Sequence, residues 1–297
     1  MNIKNIISIL AMSMLCATAL SAQDGGQAGA FLRMGVGARA MGMGNAFTAL
    51  ADDGSAVYWN PAGLGFQTGN QLVGMYSQLS LDRKLNFAGL VLGDKGAGSF
   101  SVGWLNFGVD HIDGRDAFGE QTAEFSNNEM ALQLAYSKAL GSLLSVGVGA
   151  KYLSQALAGA KATGFGFDVG VLLTPIEQIR IGACMQNISA QLKWNTDSEH
   201  IDEIPVTLRG GIALLVRKDL SLTADVVKVG DNDDLMINFG GEFWLKDIIA
   251  LRTGVANSDL AAGAAIKVSM FQLDYAYISE SLLDMGAAHR IGIMLKF

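Results

Sequence analysis

The chain has 297 residues, of which 50% are hydrophobic and only 16% charged, with 37 Gly against 3 Pro. It is poor in charge beside the roughly 25% of an ordinary soluble domain and too apolar for disorder. A formal net charge of −7 lacks the basic footprint that displaces counterions from phosphates, so nucleic acid is not an expected partner.

Residues 1–22 read as a signal peptide. Lys4 is the sole charge there, an apolar stretch runs from Ile6 to Leu20, and the small residues Ser21 and Ala22 close it. The stretch is too short and wrongly flanked for a membrane anchor. Cys16 does not fit a lipid-attachment site, because Met14 and Leu15 stand where small residues are wanted. Export leaves Cys184 as the remaining cysteine, so no intramolecular disulfide forms. Cys184 is expected to be a small residue packed in a strand.

Residues 23–70 show no alternating pattern. Their Gly and Ala spacing permits tight backbone packing, as in Gly35-Val36-Gly37-Ala38-Arg39-Ala40-Met41-Gly42-Met43-Gly44-Asn45-Ala46-Phe47. Asn60-Pro61-Ala62-Gly63 predicts an N-cap followed by proline at the first position of a short helical turn.

Residues 71–297 pose the central question: the chain is as apolar as a membrane protein, yet no run of about 20 apolar residues follows residue 22. Only helices and closed barrels satisfy every backbone polar group in lipid. The pattern is that of a barrel. Leu144, Val146, Val148, Ala150 and Tyr152 alternate with Ser145, Gly147, Gly149 and Lys151; Phe271, Leu273, Tyr275 and Tyr277 oppose Gln272, Asp274 and Ala276. Such segments predict about 14 strands: 71–80, 84–93, 97–108, 125–138, 143–153, 163–174, 177–188, 205–216, 219–228, 234–245, 248–256, 259–268, 270–279 and 288–297. Connections after even-numbered strands are all short, whereas the long ones, 109–124 and 189–204, follow odd-numbered strands. That is the parity of a barrel with periplasmic turns and outer loops. The expected fold class is therefore all-β, a transmembrane antiparallel barrel, with residues 23–70 lodged in its lumen as a hatch, or plug. It places the protein in the outer membrane of a Gram-negative-type bacterium, surrounded by outer-membrane lipid.

The last strand adds a signature. Ile291, Ile293, Leu295 and the terminal Phe297 share one face, and Gly292 follows Arg290 by two. This resembles the C-terminal signal of outer-membrane proteins, in which a final strand offers an apolar edge to the barrel-insertion machinery; Gly292, Leu295 and Phe297 carry the likeness.

The run from Ala28 to Leu64, with GVGARAMGMGNAF and ALADDGSAVYWNPAGL, resembles the N-terminal region of the PorV/PorQ family. That family is related to the FadL-type transporters of hydrophobic compounds, which share the Asn-Pro-Ala hatch motif. The resemblance implies an outer-membrane barrel with a role in type IX-like protein secretion and secretion-system proteins as partners. The alternative it implies is a FadL-like channel for hydrophobic small molecules such as fatty acids.

No catalytic arrangement, metal site or cofactor is expected. Gly35-x-Gly37-x-x-Ala40 has neither the preceding strand nor the βαβ unit of a dinucleotide site. Asp52-Asp53 has no nucleophile or orienting base beside it in sequence and reads as a cap or turn. Asp231-Asn232-Asp233-Asp234 puts Leu235 and Met236 where a calcium loop needs its fifth ligand and turn glycine. His111, His200 and His289 make no zinc spacing. By alternation Lys151, Asp168, Arg180, Arg209, Asp225, Glu242, Arg252, Lys267, Asp274 and Arg290 face the lumen. They are expected to pair with one another and with Arg33, Arg39, Asp52 and Asp53 of the hatch, the other reading being a polar path or an anchor for a ligand carboxylate. Phe31, Arg39, Phe47, Tyr58 and Trp59 are candidates for ligand contact or for packing of the plug.

Overall fold

The computed structural model describes residues 27–94, 96–197, 199–231, 234–279 and 287–297. The export signal, residues 1–22, lies outside them, as do Asn232 and Asp233 of the acidic loop. Fourteen long strands close into a ring: β1 (Gly69–Gln78), β2 (Arg83–Asp94), β3 (Gly98–Ile112), β4 (Phe125–Leu140), β5 (Leu144–Leu157), β6 (Ala160–Ile176), β7 (Ile179–Ile188), β10 (Thr207–Arg217), β11 (Leu220–Val229), β12 (Leu235–Leu245), β13 (Ile249–Ala256), β14 (Asp259–Val268), β15 (Phe271–Ser279) and β16 (Ala287–Lys296). Two short strands, β8 (Gln191–Trp194) and β9 (Ile201–Glu203), form a hairpin that hangs on β6. All ring neighbours are antiparallel, and β1 pairs with β16 from Gln71↔Lys296 to Gln78↔His289, which completes the closure. No described helix is long and apolar enough to cross a membrane.

Period two sorts the side chains. Val148, Phe165, Phe167, Leu273, Ile291, Ile293 and Phe297 are exposed on the outer wall, while Lys151, Asp168, Arg209, Asp225, Glu242, Arg252, Asp274 and Arg290 are buried inside. Arg180 and Lys267 are half-buried on the same inner face. Along β6 the outward apolar run from Phe165 to Leu173 covers about 26 Å of strand, which suits an apolar band of roughly 25 Å.

The turns after β2, β4, β6, β10, β12 and β14 hold only two or three residues each, and the long connections, 113–124 and 189–206, lie at the opposite end. Strand ends differ from the pattern-based expectation on that side. β3, expected to stop at 108, continues to Ile112; β5, expected to stop at 153, reaches Leu157; β6, expected from 163, starts at Ala160. The outward residues there turn polar, with Asn106 and Asn128 hydrogen-bonded across the strands at 3.2 Å. Apolar alternation therefore fades while backbone pairing continues. β3 to β6, at 14 to 17 residues, make one side of the rim taller than the strands of 8 to 12 residues elsewhere. The connection 189–206 also departs from a solvated outer loop: it turns back toward the lumen and buries Ala190, Leu192 and Ile204.

If the outer wall meets lipid, Leu273→Arg places a charge in the apolar band. It is expected to cost about 2–4 kcal/mol of folding free energy, read by reversible unfolding from lipid vesicles. Unchanged stability would remove the lipid-facing assignment.

Candidate functional site

Residues 30–66 fold as short pieces: 3-10 turns at Ala30–Arg33 and Pro61–Phe66, and single helical turns at Ala38–Gly42 and Ala56–Trp59. None buries enough surface to stand alone, so each leans on the inward faces of the ring. Asn60 shows why the local sequence folds as it does. Its Oδ1 accepts from the Ala62 amide (3.0 Å), with Pro61 filling the first helical position, while Nδ2 donates to the carbonyls of Thr48 (3.0 Å) and, on β6, Val171 (3.2 Å). The turn can lie this close to the wall because Gly170 and Gly147 have no Cβ; a Cβ at either would overlap Asn60 Oδ1 or the Pro61–Ala62 peptide. Gly63 sits against the Ala51 carbonyl in the same way.

An ion network fastens the segment to the opposite wall. Arg39 Nη1 meets Asp52 at 2.6 Å and Asp53 at 3.3 Å, while its Nη2 meets Glu242 of β12 at 2.8 Å. Glu242 also takes Arg252 of β13 at 2.7 Å, and Arg252 reaches Asp274 of β15 at 2.6 Å. Arg180 of β7 approaches Asp52 at 3.4 Å. Burial alone would raise the Asp52 carboxyl, but the Arg39 and Arg180 guanidiniums hold it below the usual carboxylate range. Asp225 of β11 accepts from the amides of Phe47 (2.9 Å) and Thr48 (2.8 Å). Elsewhere Lys151 pairs with Asp168 at 2.9 Å and donates to Asn187, and Arg209 donates to Gln186. Lys267 lies over the Trp244 ring at 5.9 Å.

The aromatic candidates separate by role. Trp59 is fully buried; its Nε1 donates to the Val36 carbonyl at 3.0 Å, Phe47 and Tyr58 meet its ring edge-on, and Arg209 stacks over it at 5.1 Å. The Tyr58 hydroxyl accepts from the Gly35 amide. These three rings make the packed centre of the segment, with Arg39 over Phe47 at 5.3 Å. Phe31, of the five candidates, lines an open hollow.

That hollow, about 430 Å³, lies at the long-loop end of the lumen. Phe31, Met34, Met41, Phe107 and Ile278 supply an apolar lining, and Arg33, Arg83, Arg290, Glu129 and Asp259 stand around it. Its floor is the N-terminal segment itself. Met34, Met41, Phe107 and Ile278 were not singled out from sequence: Phe107 and Ile278 are inward residues near strand tips, and nothing short of the register shows that they converge.

At the barrel seam, Phe297 exchanges hydrogen bonds with Asn70, and its side chain faces outward. Leu295 shares that outer face, whereas Gly292 points inward, where its missing Cβ admits Ala38 of the N-terminal segment. Cys184 is buried and unpaired. His111 meets Glu124, His200 meets Asp202 and His289 meets Tyr275, and no group of metal-ligating residues occurs among the described residues.

No protein-family model matches the chain, and no curated protein sequence does. Solved structures resemble it in fold. The toluene transporter TbuX of Ralstonia pickettii has a TM-score of 0.67 at 16% identity, over 89% of this chain and 98% of that one. The toluene transporter TodX of Pseudomonas putida has a TM-score of 0.64 at 14% identity, over 88% of this chain and 97% of that one. A FadL homologue of Pseudomonas aeruginosa has a TM-score of 0.55 at 11% identity, over 86% and 94%. The structural neighbours are thus of the FadL kind; at such identities the likeness speaks for the barrel.

The network predicts a variant phenotype. Glu242→Ala leaves Arg39 and Arg252 facing each other in a buried site, and breaking a buried pair in this way costs about 3–5 kcal/mol. Amides of residues 38–53 are expected to exchange faster with deuterium while those of β1–β6 keep their protection. Uniform loss across the barrel would show that the pairs serve the wall rather than the segment.

Proposed function

We propose that the protein is an outer-membrane transporter for small hydrophobic compounds, with residues 27–67 as a hatch in its lumen and no chemistry performed on the cargo. The observation that carries this reading is the apolar hollow at the outer mouth. Its volume of about 430 Å³ suits one small molecule, and concave, mostly apolar pockets with a few polar groups at the edge are what small ligands use. Phe31 and Met41 present hatch side chains to that hollow, so an occupant touches the very segment that blocks the way inward. The structural neighbours named for toluene and for FadL support the same reading. Type IX-like secretion, the other role implied by the sequence motif, rests on that resemblance alone, and a hollow of this size does not accommodate a polypeptide.

A deletion strain decides between the two roles. It is expected to lose uptake and growth on hydrophobic carbon sources and to keep its secreted-protein profile. Complementation with Phe31→Asp, which sets a charge in the apolar lining, is expected to restore the barrel in the membrane but not uptake. Normal growth on those compounds together with loss of secreted proteins would reverse the assignment.

A further inference from the structure

The hatch is fastened to the wall on one side only. Among the described residues, the hydrogen bonds and ion pairs that residues 34–66 make to the ring fall on β5, β6, β7, β11 and β12, and none falls on β2, β3 or β4. There Gly54 and Val57 merely touch the wall, lying against Gly89 and Gly103, where a Cβ would overlap them.

The inner faces of β3 and β4 form a distinct strip behind that contact. Below Phe107 and Glu129, which line the hollow, the inward pairs run Leu105–Ala131, Gly103–Gln133, Ser101–Ala135 and Ser99–Ser137 toward the short-turn end. From Phe107 to Ser99 this is about 26 Å of strand. These four pairs hold no ionisable side chain, and most members are small, so a slight retreat of the hatch clears a path.

Small residues alone would mark nothing more than close packing, but the polar groups of the strip say more. The hydroxyls of Ser99, Ser101 and Ser137 and both ends of the Gln133 amide are buried without a hydrogen-bond partner, and each of these residues is 3% exposed or less. A dry, unpaired hydroxyl or amide is costly. Contact with the hatch therefore leaves these groups worse off than contact with water or with a passing molecule would. Elsewhere the hatch must break buried ion pairs and hydrogen bonds to move. β3 keeps its ladders to β2 and β4 without a shift over residues 99–109, so the way leads down this face and not through it.

We propose that cargo passes the hatch along this strip. The hatch withdraws from β3 and β4 while its fastening on β11 and β12 holds. An uncharged molecule then moves from the hollow over Gly103, Ser101 and Ser99 to the short-turn end, with Gln133 and the serines as its hydrogen-bonding contacts. The route rests on the transport reading above.

Two measurements on the full-length protein test it. The first needs no cargo: Ser101→Cys and, as an equally buried control on β10, Ala213→Cys are exposed to a water-soluble methanethiosulfonate. Ser101→Cys is expected to be modified and Ala213→Cys to stay unmodified, with wild type, whose Cys184 is buried, as background. The second uses disulfide tethers in the deletion strain. A Cβ at Gly103 lies 2.7 Å from Val57 Cγ1, and one at Gly292 lies 3.0 Å from Ala38 Cβ, so both pairs are within reach of a disulfide. Val57→Cys with Gly103→Cys is expected to abolish uptake of radiolabelled toluene until a reductant is added. Ala38→Cys with Gly292→Cys, at matched levels in the membrane, is expected to leave uptake as in wild type. Ser101→Cys reacting no faster than Ala213→Cys overturns the withdrawal whatever the cargo. Uptake that persists through the Val57–Gly103 tether, or is lost equally in the Ala38–Gly292 tether, overturns the route. Wild-type cells that take up no more toluene than the deletion strain would instead count against the transport reading, and the thiol reactivity would still judge the strip.

Discussion

Hydrocarbon offers no hydrogen-bond partner to a peptide group, and the rest of this structure follows from that. A sheet of fourteen strands in lipid must have no edge, so β1 and β16 meet, and the terminal Phe297 is tied to Asn70 by reciprocal backbone bonds. Closure in turn fixes two chemically opposite faces. The outer one is apolar because lipid-like side chains suit a lipid-facing wall; the inner one, shielded from lipid, collects the charges that the strands carry away from their ends, from Lys151 and Asp168 to Glu242, Arg252 and Asp274.

A lumen lined with charges needs contents. The N-terminal segment supplies them, and its composition is suited to a crowded interior. It brings short turns instead of long helices, glycines where backbones touch, and two acids and an arginine that interlock with those of the wall. The division of labour within the segment is clear in its aromatic residues: Trp59, Tyr58 and Phe47 hold it together, and Phe31 is left to face the hollow.

Much of this was legible in the sequence, and for a physical reason. Alternation between Leu144 and Tyr152, or Phe271 and Tyr277, is a direct imprint of a two-faced wall, and turn parity records which end carries the short connections and which the long ones. Legibility failed where lipid stops dictating side chains. Above the bilayer β3, β5 and β6 continue with polar outward residues, and the connection 189–206 folds back on Leu192 and Ile204 in a way that no local periodicity encodes. The hollow was the least legible feature. Its lining joins the tips of β3 and β15 to the N-terminal turns, residues that only closure makes neighbours. The Asn60-Pro61 turn could be read from its own two residues, whereas its glycine partners Gly147 and Gly170 looked like ordinary small inward positions.

The branching of the ion network has a kinetic meaning. Arg39 is shared by three carboxylates, and Glu242 is shared by two arginines. Parting any one contact therefore leaves each partner still engaged, and little is released until several give way together. Such a clasp resists wholesale ejection yet tolerates rocking about a point, because individual links can exchange without exposing a bare charge. On the transport reading proposed above, movement in the lumen is a matter of small local yielding beside a fixed anchor, which sets an upper bound on the girth of anything that slips past.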